Sequence, residues 1–190
     1  VDGLHFHALC EQDAEDLQTT LQAVREKFGD ILSSMKWLNM GGGHHITRPG
    51  YNISLLEDCI KKAAEDWQVQ VYLEPGEAVA LNAGFLASRI LDVVENAGVR
   101  IGILDASAAC HMTDVIEMHY TPPLLKSSPD NPYVFRLAGP TCLAGDVMGK
   151  YAFEAPLKPG DLLLFGDMAI YTTCKTNTFN GMPLPQIYAF

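Results

Sequence analysis

Three consecutive glycines, Gly41-Gly42-Gly43, stand between the short, mainly apolar run Leu38-Asn39-Met40 and the pair His44-His45. A run of that length ends as a strand. Glycines placed directly after a strand let backbone N–H groups approach an anion closely, phosphate being the usual one, and His44 or His45 can add a donor. A plain flexible turn uses the same residues, so the reading depends on what flanks the step.

The flanks follow one grammar. Residues 3–9 read as a strand whose alternation sends His5 and His7 to the same side. Asp13 caps a helix in which Leu17, Leu21, Val24 and Phe28 recur at helical spacing. Residues 35–40 form a second strand that ends in the glycines. Asn52 caps a second helix with Ile53, Leu56, Ile60, Ala63 and Trp67 on its buried stripe, and 69–73 form a third strand running into Glu74-Pro75-Gly76. Strand–helix–strand–helix–strand is the grammar of a parallel sheet or barrel. His7, the glycines and Glu74 each follow a strand's carboxyl end, where barrel enzymes carry their sites.

After Glu74 the pattern changes. Residues 78–81 and 84–94 are β-rich, Glu95-Asn96-Ala97-Gly98 is a turn signal, and 99–104 return as a strand, so a hairpin is expected, with a helix over 85–95 as the alternative. A short helical piece is expected at 112–118, and strands at 133–137, 162–165 and 169–175. The fold class expected is α/β plus β: the C-terminal part of a (β/α)8 barrel over residues 1–80, then an all-β, barrel- or sandwich-like domain over 81–190.

The chain has 190 residues, 48% of them hydrophobic, and a net charge of −10. That charge argues against a nucleic-acid or anionic-membrane surface and suits a cationic substrate. No run approaches the roughly 18 apolar residues of a membrane span, and no secretory signal is visible. Five scattered cysteines without a Cys-x-x-Cys spacing fit reduced thiols in a cytoplasm. The chain starts at Val1 and stops at Phe190 in an apolar stretch, so a piece of a longer protein is expected.

Glu74, held before a rigid Pro-Gly, can pair with a protonated ring nitrogen or cap a loop. His7 can stack on an aromatic ring, act as an acid, or sit as a satisfied interior histidine. His5-x-His7 can also be a metal pair, a reading that needs further ligands at later strand ends. Cys142, in Gly139-Pro140-Thr141-Cys142-Leu143-Ala144-Gly145-Asp146, is a loop thiol able to donate a proton or attack as a nucleophile. Tyr171 can donate to a phosphate or belong to the core.

Gly-Leu-His-Phe-His at the start, Gly-Gly-Gly, Glu-Pro-Gly, the Cys142 loop, Asp167-Met168-Ala169-Ile170-Tyr171-Thr172 and Thr178-Phe179-Asn180-Gly181 occur in order across the whole chain. Together they resemble the pyridoxal-phosphate decarboxylases of the alanine-racemase-like fold, which act on ornithine, diaminopimelate and carboxynorspermidine. The fuller strings around His5, Gly41 and Cys142 are most similar to the carboxynorspermidine branch. The resemblance implies pyridoxal 5'-phosphate as cofactor, its phosphate held by Gly41, Gly42 and Gly43 with Tyr171 nearby, its ring nitrogen paired with Glu74, and His7 stacked on its face. It implies that Cys142 reaches a neighbouring subunit's site and returns a proton to the substrate, making a homodimer with shared sites. Glu117, Asp114 and Asp146 become substrate-facing positions for a small cationic amino acid or polyamine, and no metal is implied.

Two positions depart from the amino-acid decarboxylases of the family: Glu77 stands for their arginine after Glu-Pro-Gly, and Leu143 for their acidic residue after the loop cysteine. Both favour a carboxynorspermidine or carboxyspermidine substrate over diaminopimelate or ornithine. A non-catalytic homologue that serves as dimer partner is the reading from another class. The resemblance also puts roughly five of the eight barrel strands, and the lysine that carries the cofactor, upstream of this chain, so that the piece alone is expected to be inactive.

Overall fold

The structure, a computed structural model, describes residues 1–189. It divides into two compact units, Val1–Leu81 and the remainder from Asn82 onward.

The first unit alternates strands and helices: β1 (Gly3–His5), α1 (Ala14–Leu32), β2 (Trp37–Asn39), α2 (Ile53–Trp67), β3 (Gln70–Tyr72) and the short α3 (Gly76–Ala80). The strands are parallel in the order β1-β2-β3, with His5 opposite Asn39 and Asn39 opposite Tyr72. Gly3 has no alternative in this register. A Cβ there would lie 2.0 Å from the Trp37 indole. Leu38 and Met40 are fully buried beneath the helices, against Leu17, Leu32, Leu56 and Trp67. The α1 entry is closed by Asp16, whose Oδ2 accepts the Asp13 N–H at 3.0 Å; at α2, Asn52 Oδ1 accepts the Leu55 N–H at 3.1 Å. Gln68 ends α2 in the left-handed region, φ 53°.

The expected stripes hold except at Phe28 and Ile53, which remain 41% and 43% exposed. Residues 78–81 are not a strand: Pro75 starts the α3 turn, and Thr47 donates its hydroxyl to the Ala78 carbonyl. The first strand is also shorter than expected. The chain leaves the sheet after Phe6, whose N–H makes a last bond to Asn39 O at 3.0 Å.

The second unit contains β4 (Leu86–Asn96), β5 (Val99–Leu104), α4 (Ala108–His111), α5 (Thr113–Glu117), β6 (Tyr133–Ala138), β7 (Val147–Phe153), β8 (Leu162–Phe165) and α6 (Ile170–Lys175). Its sheet has the order β7-β6-β5-β4-β8 and is antiparallel except between β5 and β6. The expected hairpin is β4–β5, with Ala97 and Gly98 both at positive φ as a two-residue turn requires. Phe135, Leu137, Met148 and Phe165 fill the core, with Phe135 edge-on to Phe153 at 6.1 Å.

An all-β domain is therefore only part of the account, because α4 and α5 lie between β5 and β6 and α6 follows β8. The strand expected at 169–175 is instead the helix Ile170–Lys175, although Ile170, Tyr171, Thr172 and Thr173 are strand-forming types. Thr173 returns its hydroxyl to the Ala169 carbonyl at 2.6 Å, within the helix, and Lys175 is tied to α5. Among the described residues no helix is long and apolar enough to cross a membrane.

Candidate functional site

The carboxyl ends of β1, β2 and β3 converge on one cluster. Asn39, the last residue of β2, accepts the Gly41 N–H through Oδ1 at 2.9 Å and donates from Nδ2 to Glu74 Oε1 at 2.7 Å. The Glu74 N–H in turn donates to Gly41 O at 2.8 Å. The Gly42 N–H donates to His7 Nδ1 at 3.3 Å, which makes Nδ1 the acceptor and leaves a neutral ring's proton on Nε2. His5 Nε2 lies 3.9 Å from the other Glu74 oxygen, Oε2. His7, the glycine step and Glu74 are thus brought together within this unit.

All three glycines are required by their own surroundings. A Cβ would fall 2.4 Å from Phe6 O at Gly41, 2.7 Å from Glu74 O at Gly42 and 2.0 Å from Leu9 O at Gly43, and Gly41 and Gly43 have φ of +72° and +83°. Two of their N–H groups are already engaged within the chain, Gly41 by Asn39 and Gly42 by His7. The step is a tightly packed turn as well as a candidate cradle.

The two following histidines separate in role. His44 is buried, and its Nε2 pairs with the Met40 carbonyl at 3.2 Å. Burial pulls its pKa below the ordinary histidine value, partly opposed by the backbone contacts to Met40 and Gly41. That ring is committed to the turn. His45 is buried too, with neither ring nitrogen in an aligned hydrogen bond, but Nε2 stands 3.3 Å from Glu77 Oε2. An ion pair forms there whenever His45 is protonated.

In the second unit, Asp114 and Glu117 on α5 both receive Lys175 Nζ from α6, and the same ammonium lies 5.9 Å from the centre of the Tyr171 ring. The two carboxylates, led by Asp114, push the Lys175 pKa well above its ordinary value. Asp114, Glu117 and Tyr171 therefore share one cluster, centred on a lysine that the sequence reading did not single out. Cys142 is exposed on the loop between β6 and β7.

Asp146 departs from its expected substrate-facing place. It is 3% exposed, Oδ1 accepting from Ser107 Oγ, Ala108 N and Ala109 N, and Oδ2 from the Thr141 hydroxyl and N–H. Its oxygens fasten the Cys142 loop to the start of α4 and leave no face for a substrate. Asn39 was likewise passed over. Its signal was a lone carboxamide inside an apolar strand. Among the described residues no group of three or more His, Cys, Asp or Glu side chains is placed to hold a metal ion.

Residues 11–169 match the family model described as the pyridoxal-dependent decarboxylase C-terminal sheet domain. The chain belongs to the pyridoxal-dependent decarboxylase family. Within that family it is 45% identical to a carboxynorspermidine/carboxyspermidine decarboxylase of Campylobacter jejuni, over 98% of this chain and 52% of that protein. It is 40% identical to a carboxyaminopropylagmatine decarboxylase of Synechocystis, over 98% of this chain and 49% of that protein. A solved carboxynorspermidine decarboxylase from Campylobacter jejuni, complexed with norspermidine, superposes with a TM-score of 0.88 at 46% identity, covering 97% of this chain and 54% of that one. This chain spans about half the length of the curated relatives it matches. Pyridoxal phosphate is the family's cofactor, and the first unit's residues suit it: a carboxylate with one oxygen oriented by a carboxamide, beside a glycine turn of closely packed backbone.

Proposed function

We propose that the full-length protein is a pyridoxal-phosphate-dependent carboxy-lyase acting on carboxynorspermidine or carboxyspermidine, with the first unit forming the C-terminal part of its (β/α)8 barrel. The observation that carries this reading is the hydrogen-bonded cluster of Asn39, Gly41 and Glu74, with His7 on Gly42, at one end of the parallel sheet. Bound there, pyridoxal phosphate supplies a protonated ring that accepts the electron pair left when CO2 departs.

The chain's own residues divide the remaining work. Glu74 Oε2 holds the proton on the ring nitrogen, which keeps the ring electron-poor. The glycine step meets the phosphate, and the 3.3 Å bond from Gly42 to His7 is the weakest of its internal bonds to exchange. His7 would lie against the ring. Asp114 and Glu117 take up an amine of the substrate in competition with Lys175. Cys142 returns a proton to the α-carbon from across a homodimer interface, and Asp146 holds the Cys142 loop in place.

The test is competitive decarboxylation by the full-length protein loaded with pyridoxal phosphate. Carboxynorspermidine and carboxyspermidine should be consumed ahead of diaminopimelate and ornithine at equal concentration, and Glu74→Gln should lower kcat on the order of 100-fold. Faster turnover of diaminopimelate or ornithine would assign the chain to another branch. Turnover of none of the four would make it a non-catalytic partner.

A further inference from the structure

The Asn39 carboxamide touches both elements on which the cofactor reading depends. Its orientation is fixed by its partners: Gly41 N–H can only donate, so Oδ1 faces the turn, and Nδ2 must then face Glu74. With Oε1 occupied by Asn39 at 2.7 Å, only Oε2 of Glu74 is left to face a ligand, apart from His5 at 3.9 Å. The amide also ties that carboxylate to the turn whose backbone reverses at Gly41, φ +72°. A second link, Glu74 N–H to Gly41 O at 2.8 Å, runs alongside the first through backbone alone.

Resting on the proposed function, we infer that Asn39 is a positioning residue for the cofactor: it orients Glu74 toward the ring nitrogen and couples that contact to the glycine step. Asn39 does not touch the reacting atoms. It donates to one carboxylate oxygen and thereby fixes which oxygen is presented. Because one side chain joins the two anchor points, disturbing the ring end disturbs the phosphate end.

Asn39→Asp is the discriminating variant. It is nearly isosteric and can still accept the Gly41 N–H, so the turn keeps its bond. Its second oxygen, however, meets Glu74 Oε1 as an acceptor facing an acceptor, and the two carboxyls must share a proton. In a Glu74→Gln background the amide introduced at position 74 can donate to the carboxylate introduced at position 39, and the conflict disappears.

The experiment measures pyridoxal phosphate affinity and the pH dependence of the bound cofactor's absorbance in the full-length protein. Wild type, N39D, E74Q and N39D/E74Q are compared, with thermal unfolding of each apo protein to register folding. N39D should raise the Kd about tenfold, the scale of a lost hydrogen bond to a charged group, and add a pH-dependent step to cofactor binding. In the E74Q background the same substitution should change Kd by less than about twofold. An equal Kd loss in both backgrounds, or an unaltered pH profile in N39D, overturns the role of Asn39 while leaving the proposed function standing. Wild-type protein that takes up no pyridoxal phosphate overturns both.

Discussion

His44 shows how a single residue beside the site reports on its integrity. Burial holds its folded pKa below 6.5, the ordinary value that the unfolded chain recovers. Below that pH the unfolded state takes up a proton that the folded state refuses, so stability is fully present above about 6.5 and falls as the pH drops through this window. His44→Gln, which keeps a donor for the Met40 carbonyl, should shrink the difference in unfolding midpoint between about pH 7.5 and about pH 5.5. An unchanged difference would place the acid sensitivity elsewhere. At this scale the sequence was informative about Glu74 and the glycines because their spacing from strand ends was visible. It was silent on which of two adjacent buried histidines pairs with the Met40 carbonyl. Asp146 was expected to face the substrate because the resemblance carries no information on its partners, here Thr141 and the start of α4.

At the scale of elements, the parallel strands and their helices were legible because apolar spacing and caps agreed locally. Agreement failed at α6, where Thr172 and Thr173 favour a strand in isolation and contacts made by Lys175 with α5 hold a helix instead. β7 went unrecognised because Gly149, at φ +148°, and Lys150 interrupt its apolar pattern. Gly149 is there for space, since a Cβ would stand 2.8 Å from Thr121 Cγ2. The β6–β7 loop depends on one carboxylate, so Asp146→Ala should destabilise the protein by about 3 kcal/mol, the cost of leaving several buried donors unpaired. Chemical denaturation measures that. Ser107→Ala removes one donor of the set and should cost about 1 kcal/mol. Near-equal losses for the two would mean that Asp146 is not the hub.

For the whole molecule, the proposed homodimer with shared sites is open to a complementation test. Glu74→Ala and Cys142→Ala proteins, each inactive or nearly so, should regain about a quarter of wild-type activity when unfolded together, mixed and refolded, because half of the randomly paired dimers then carry one intact site. No recovery, with dimers formed, would put Glu74 and Cys142 of one active site on the same subunit. The reading of two units, one strand–helix and one strand-rich, came from the change of grammar after Glu74. The helical piece expected at 112–118 is α5, which carries Asp114 and Glu117, whereas the six-residue α6 that carries Tyr171 lay below the length at which periodicity can be recognised.

The Cys142 loop has one more property, visible only when its fastening is compared with its tip. Gly139 cannot accept a side chain, because a Cβ would sit 2.2 Å from Asp146 Oδ2, and Asp146 itself is enclosed; between them Leu143 is 42% exposed and Gly145 has open space around it. The loop is thus rigid in its frame and permissive in its contents. Substitutions at Leu143 and Gly145 are therefore expected to leave folding untouched. Within this eight-residue stretch the positions that hold the fold, Gly139 and Asp146, are separate from those with room to vary.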